Sequence, residues 1–287
     1  MKKLFGGINL TWKKLILFSI ISGVYTALVA ILPICRYTSF ETIAVTFEVW
    51  ILFGIVIIMN SKSNKDAALK CFIFFLISQP LIYLLQVPFS WQGWGLFKYY
   101  KFWFIWTVLC IPMGFIGYYI KKDKWWGYLI LLPMILLTAY SYLTDLTYLT
   151  FSYPKYTLIC LFCIITMIIY PLYIFKNKKI RITGVIISAL LIIASTVYVL
   201  LNPYRYNTQI MSNNEEHQFD NTYKVYLEDD KYGTLNIIYM ESVEDYMIQA
   251  NFKRDGKTSF TIESPTGEKQ IYDIVIKRDT YEITKKN

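Results

Sequence analysis

With 55% hydrophobic, 18% aromatic and only 17% charged residues, this chain of 287 residues carries more apolar surface than a water-soluble domain of its size can hide, since soluble chains hold about 25% charged residues. The net charge of +9 is unevenly placed: up to residue 201 there are 18 basic against 5 acidic residues, and beyond it 11 basic against 15 acidic. The basic balance therefore belongs to loops between apolar segments and gives no ground for nucleic-acid binding.

In chain order, apolar runs cover 15–34, 42–59, 70–87, 102–120, 126–143, 156–175 and 183–201. Each is near the ~20 residues a helix needs to cross a hydrocarbon core of about 30 Å. They predict an α-helical polytopic membrane bundle over 1–201, with about seven transmembrane helices and the lipid bilayer as its first partner. The first run is too long for the apolar part of a signal peptide and lacks a small-x-small cleavage site, so it reads as a retained span. Pro80, Pro112, Pro133 and Pro171 sit inside spans, where neighbouring helices can re-satisfy the freed carbonyls. Between the third and fourth spans, residues 87–97 form a long aromatic connection with Trp91 and Trp94, suited to the headgroup layer.

Lysine and arginine set the expected direction. The N-terminus and the loops after the second, fourth and sixth spans hold 14 cations, whereas the opposite loops hold four (Arg36, Lys98, Lys101 and Lys155). Cations are retained on the cytoplasmic side, so the N-terminus reads as inside a plasma membrane and the C-terminal tail as outside.

Polar groups within spans are costly and therefore informative. Glu48 lies in apolar sequence with Glu41 seven residues earlier, and Gln79 lies mid-span with Gln86 seven residues later. A spacing of seven places each pair on one helix face. Counted from the intervening loop, the depths of Glu48 and Gln79 differ by only about 3 Å, as do those of Glu41 and Gln86. The expectation is a two-rung polar ladder of Glu48–Gln79 and Glu41–Gln86. It can tie a hairpin together, or line a cavity for a cation, proton or polar solute.

The stretch Phe74 to Phe89, FFLISQPLIYLLQVPF, resembles one found in uncharacterised multi-pass membrane proteins of Gram-positive bacteria. With flanking segments the likeness covers the first six spans. The resemblance implies a membrane fold and brings no activity, cofactor or site residue with it.

Catalytic patterns are sparse. The one histidine, His217, stands in a polar stretch beside Glu215 and Glu216 and reads as solvated; two-histidine zinc motifs are excluded. Cys160 and Cys163 form a Cys-x-x-Cys inside a span, without the second cysteine pair a structural zinc site uses. No nucleophile–base pair, Gly-rich phosphate loop, metal set or cofactor motif stands out, so the reading is non-enzymatic with no cofactor.

Beyond the spans the pattern changes. Residues 202–220 are polar and read as a linker. From 221 to 287, short alternating segments at 223–227, 234–240, 246–253, 259–263, 270–276 and 281–284 are separated by turns such as Asp255-Gly256 and Pro265-Thr266-Gly267. This predicts a small all-β antiparallel domain of five or six strands, as a meander or barrel-like sheet, on the extracytoplasmic side. Two functions from different classes fit: a small-solute or ion transport protein, or the membrane subunit of a transporter that relies on separate subunits such as an ATPase; and a membrane-anchored sensor or scaffold whose β domain binds a protein or envelope partner.

Overall fold

A computed structural model describes residues 3–36, 38–214, 218–241 and 244–286, with the side chains of 43–45 excepted. The chain divides into two compact units: Met1–Asp145 with Lys155–Val197, and Leu146–Pro154 with Tyr198–Asn287.

The first unit is helical: α1 (Trp12–Ile31), α2 (Ser39–Val45), α3 (Phe47–Met59), α4 (Asn64–Gln86), α5 (Phe97–Gly117), α6 (Trp125–Phe151, its last turns in the second unit), α7 (Thr157–Ile174) and α8 (Lys178–Leu201). Six of these, all but α2 and α3, are long and apolar enough to cross a membrane. Leu17, Ile21, Ile105, Leu190 and Ile193 stand more than half exposed, a surface stable in lipid and untenable in water. All four span prolines lie within continuous helices.

The expected second span, 42–59, is where the structure departs from the sequence reading. It is two helices, broken at Thr46, whose backbone is extended (φ −110°, ψ 162°). Thr42, Ile43, Val45 and Thr46 are β-branched and lose side-chain freedom in a helix. Thr46 also turns back on the preceding turn: its amide and hydroxyl both reach the Thr42 carbonyl, at 3.0 and 2.8 Å, a bond that competes with helix continuation.

Loop contacts sort the chain between two ends. At one, Asn60 donates to the Leu4 carbonyl (2.7 Å) and accepts from the Ile8 amide (2.7 Å). Here also Tyr118 donates to the Lys62 carbonyl, Lys121 to the Ser61 carbonyl, and the Lys176 amide to Asp123. At the other, the Ser39 amide and hydroxyl donate to the Lys155 carbonyl, and the same hydroxyl accepts from the Ile159 amide in the first turn of α7. Segment 39–59 thus runs from the end marked by Lys155 to the end marked by Leu4. The loops richest in lysine share that second end. Close helix approach depends on small residues: a Cβ on Gly23 of α1 would lie 2.9 Å from the Ser78 carbonyl of α4, and one on Gly114 of α5 would lie 3.0 Å from the Ala67 carbonyl.

Among the described residues the second unit holds seven antiparallel strands: β1 (Tyr206–Ser212), β2 (Lys224–Leu227), β3 (Gly233–Met240), β4 (Asp245–Phe252), β5 (Gly256–Glu263), β6 (Lys269–Lys277) and β7 (Thr280–Lys285). They form two sheets, ordered β1-β4-β3 and β2-β5-β6-β7, so the expected meander is replaced by a pair of sheets. Each strand has one apolar face, and two sheets bury those faces against one another. The core joins Ile248, Ala250 and Phe252 to Phe260, Tyr272 and Ile274, with Phe260 and Tyr272 stacked at 5.0 Å between centroids. Phe151, fully buried, belongs to this core and meets Tyr204 edge-on at 5.2 Å. Strand β1 lies inside the expected linker. A register shift between Gln209 and Met211 sets Ile210 off the ladder, and Ile210 is buried in the core. At the tip of the β5–β6 hairpin Gly267 adopts φ +91°, a left-handed position that suits glycine.

Candidate functional site in the helical unit

The helix break sets the candidate site. A helix that restarts at Phe47 leaves its first amides without partners in the preceding turn and presents the positive end of its dipole. Glu48 occupies that first turn and is fully buried. One carboxyl oxygen, Oε1, contacts the Thr46 hydroxyl. The other, Oε2, completes no hydrogen bond. Ser141 of α6 comes up to the same carboxyl, and Cys163 and Tyr170 of α7 lie within electrostatic reach of it.

Asp145 follows Ser141 by four residues on α6, one turn further along the same face, and is 4% exposed. Cys163 is within electrostatic reach of both acids. The same helices bury further polar groups: Thr138, Cys160 and Thr166 are buried, Tyr142 shares a 2.9 Å hydrogen bond with Thr196 of α8, and among the described residues the buried Tyr170 hydroxyl has no hydrogen-bond partner. Among the described residues no three His, Cys, Asp or Glu side chains converge closely enough to hold a metal ion. What the arrangement offers is a buried acid and a hydroxyl, with a second acid one helical turn away.

The four residues singled out in the sequence are distributed as follows. Gln79 is buried and its Nε2 has no hydrogen-bond partner, so no hydrogen bond joins it to Glu48. Gln86 donates to the Ile82 carbonyl of its own helix at 3.1 Å. Glu41 lies in the first turn of α2; because the extended Thr46 intervenes, a spacing of seven no longer places Glu41 and Glu48 on one face. Cys160 and Cys163 are both buried with free thiols. His217 lies outside the described residues. Asp145 was missed because the fifth span was taken to end at 143, whereas α6 continues to Phe151; Ser141 lay inside that span and was passed over because a single serine is unremarkable in a membrane helix. The sequence does carry a signal there: Thr138, Tyr142 and Asp145 recur at spacings of four and three, a helical period.

A separate apolar cavity of about 90 Å³ lies between α3, α4, α5 and α6, lined by Phe47, Trp50, Trp103, Trp106, Cys110 and Met134 among others. It presents hydrocarbon and rings in place of polar groups.

Fold and site together define an integral membrane protein with a multi-helix bundle and a separate antiparallel β domain. The chain matches no protein-family model, no curated protein sequence and no solved structure.

Proposed function

We propose that the protein is a transport protein, or the membrane subunit of one, that binds a small cation or polar solute at the break between α2 and α3. The observation that carries this reading is Glu48, fully buried at an interrupted helix with one carboxyl oxygen lacking any hydrogen bond. A buried polar atom left unsatisfied calls for a ligand, ion or water, and irregular backbone within a bundle is tolerated where it lines a cavity. Discontinuous helices with their termini at mid-membrane are a recurring way to build such sites.

In the same reading α2 and α3 together make a crossing, the lysine-rich end faces the cytoplasm, and the β domain lies outside. The sharing of one end by residues 4–8, 60–64, 118–123 and 176 supports this, because the basic loops collect there. Full-length protein in proteoliposomes, probed with dyes for H⁺, Na⁺ and K⁺, tests the function. Glu48→Gln should reduce ion movement by at least about tenfold, the effect expected when a required charged group is lost from a low-dielectric site. Unchanged flux in a folded Glu48→Gln variant removes the reading.

A further inference from the structure

We infer that the ion handled at this site is the proton, carried on the carboxyl of Glu48 and exchanged with Asp145 through the hydroxyl of Ser141. The inference rests on the transport reading and narrows it to one cargo or coupling ion.

The first argument is a count of protons. The Thr46 hydroxyl touches two acceptor oxygens, the Thr42 carbonyl at 2.8 Å and Oε1 of Glu48. A hydroxyl has one proton to donate and lone pairs to accept with. The Thr42 carbonyl already accepts from the Thr46 amide at 3.0 Å, so the one hydroxyl proton is available to Oε1 of Glu48. Oε2, which has no hydrogen-bond partner among the described residues, is then the oxygen that carries the carboxyl proton.

The second argument is the surroundings. Glu48 is fully buried and makes no ion pair among the described residues. The groups facing it are Ser141 from α6 and Cys163 and Tyr170 from α7, none of which supplies a positive charge. An ionised carboxylate stranded in such a place is costly, while a neutral carboxyl with one bare oxygen is tolerable. The restarting helix, with the positive end of its dipole beside Glu48, offsets part of that cost once the proton has left. These opposed influences suit a group that loads and unloads.

The third argument is the route. Ser141 and Asp145 share a face of α6 one turn apart, Ser141 reaches Glu48, and Cys163 is within electrostatic reach of both acids. The step balances: the O–H bond of Glu48 breaks and its proton goes to Ser141 Oγ, while the original Ser141 proton passes to the Asp145 carboxylate. Glu48 becomes a carboxylate, Asp145 a carboxylic acid, and the serine hydroxyl is restored.

Infrared spectroscopy of the full-length protein in lipid nanodiscs at neutral pH tests this directly. The carbonyl-stretching band of a buried protonated carboxyl should be present in the wild type and absent in Glu48→Gln. In deuterated buffer that band should exchange at least about tenfold more slowly in Asp145→Asn and in Ser141→Ala, as when a proton-transfer group is withdrawn. Ser141→Thr, which keeps the hydroxyl, should restore the wild-type rate. A wild type without the band, or exchange rates unchanged in both variants, overturns the proton assignment. If Glu48→Gln nevertheless abolishes sodium or potassium movement in proteoliposomes, the transport reading stands with a different ion. A band that obeys every expectation, in a protein that moves no ion, would instead remove the transport reading.

Discussion

At the scale of single residues, chemistry depends on what stands beside each group. Asp220 is held below the usual carboxylate range by the hydroxyl and amide of Thr222, which both donate to it. A carboxyl whose folded value is lowered contributes stability above its unfolded value, and that contribution is lost as pH falls through the folded one. The turn at 220–222 should therefore loosen as the medium is acidified below about pH 4, near the unfolded value of an aspartate. Protection of the Thr222 amide, taken relative to the intrinsic exchange rate at each pH, should fall there and hold at neutral pH. Glu48 was legible in the sequence because a carboxylate in apolar sequence stands out. Its partners were not, since Ser141 and Asp145 lie about a hundred residues away and are brought alongside by packing that no local pattern encodes.

At the scale of elements, the long helices were legible because lipid demands continuous apolar runs, and the six longest lie where hydropathy places them. The break in 42–59 was hidden for the same reason: Thr, Ala and Val are as acceptable to a hydropathy reading as to a helix, and the cost of a β-branched run is a matter of side-chain rotamers. Strand β1 escaped notice because Asn207, Thr208 and Gln209 mask the alternation, and because the bulge before Met211 interrupts it. Helix packing yields a sharper expectation. A side chain on Gly23 must displace the backbone of α4 at Ser78, so Gly23→Leu should destabilise the bundle by about 1–3 kcal/mol, as overpacking of a tight contact does. Thermal or denaturant unfolding in detergent would register it, with an exposed substitution such as Leu17→Ala as the mild comparison.

For the whole molecule, direction relative to the membrane is the central expectation, and it came from counting lysines and arginines loop by loop. Packing adds that the basic loops gather at one end of the helical unit. Cysteine introduced as Lys122→Cys in intact cells should resist a membrane-impermeant maleimide until the membrane is permeabilised. Protease added outside should cut at the Asp255–Gly256 bend. The opposite pattern would reverse the protein in its membrane. The division into a helical and a β unit was legible from the change of period near residue 202. That Phe151, from the end of a membrane-type helix, completes the β core was not, because a buried aromatic looks alike whether it faces lipid or another sheet.

The interrupted helix also bears on how such a chain is made. Amides left open in mid-bilayer cost several kcal/mol each when hydrocarbon is their only neighbour. Ser141, which comes up to Glu48, and Cys163 and Tyr170, which lie within its electrostatic reach, leave the ribosome long after Thr46 does. If α2 and α3 make a crossing as proposed, the stretch from Ser39 to Met59 has no protein lining on that side until they arrive, and its settled position is a late event in biogenesis. In the proposed crossing the polypeptide would hold this segment in a provisional setting, beside the insertion machinery or near the water interface, until Tyr170, 124 residues beyond Thr46, has been synthesised.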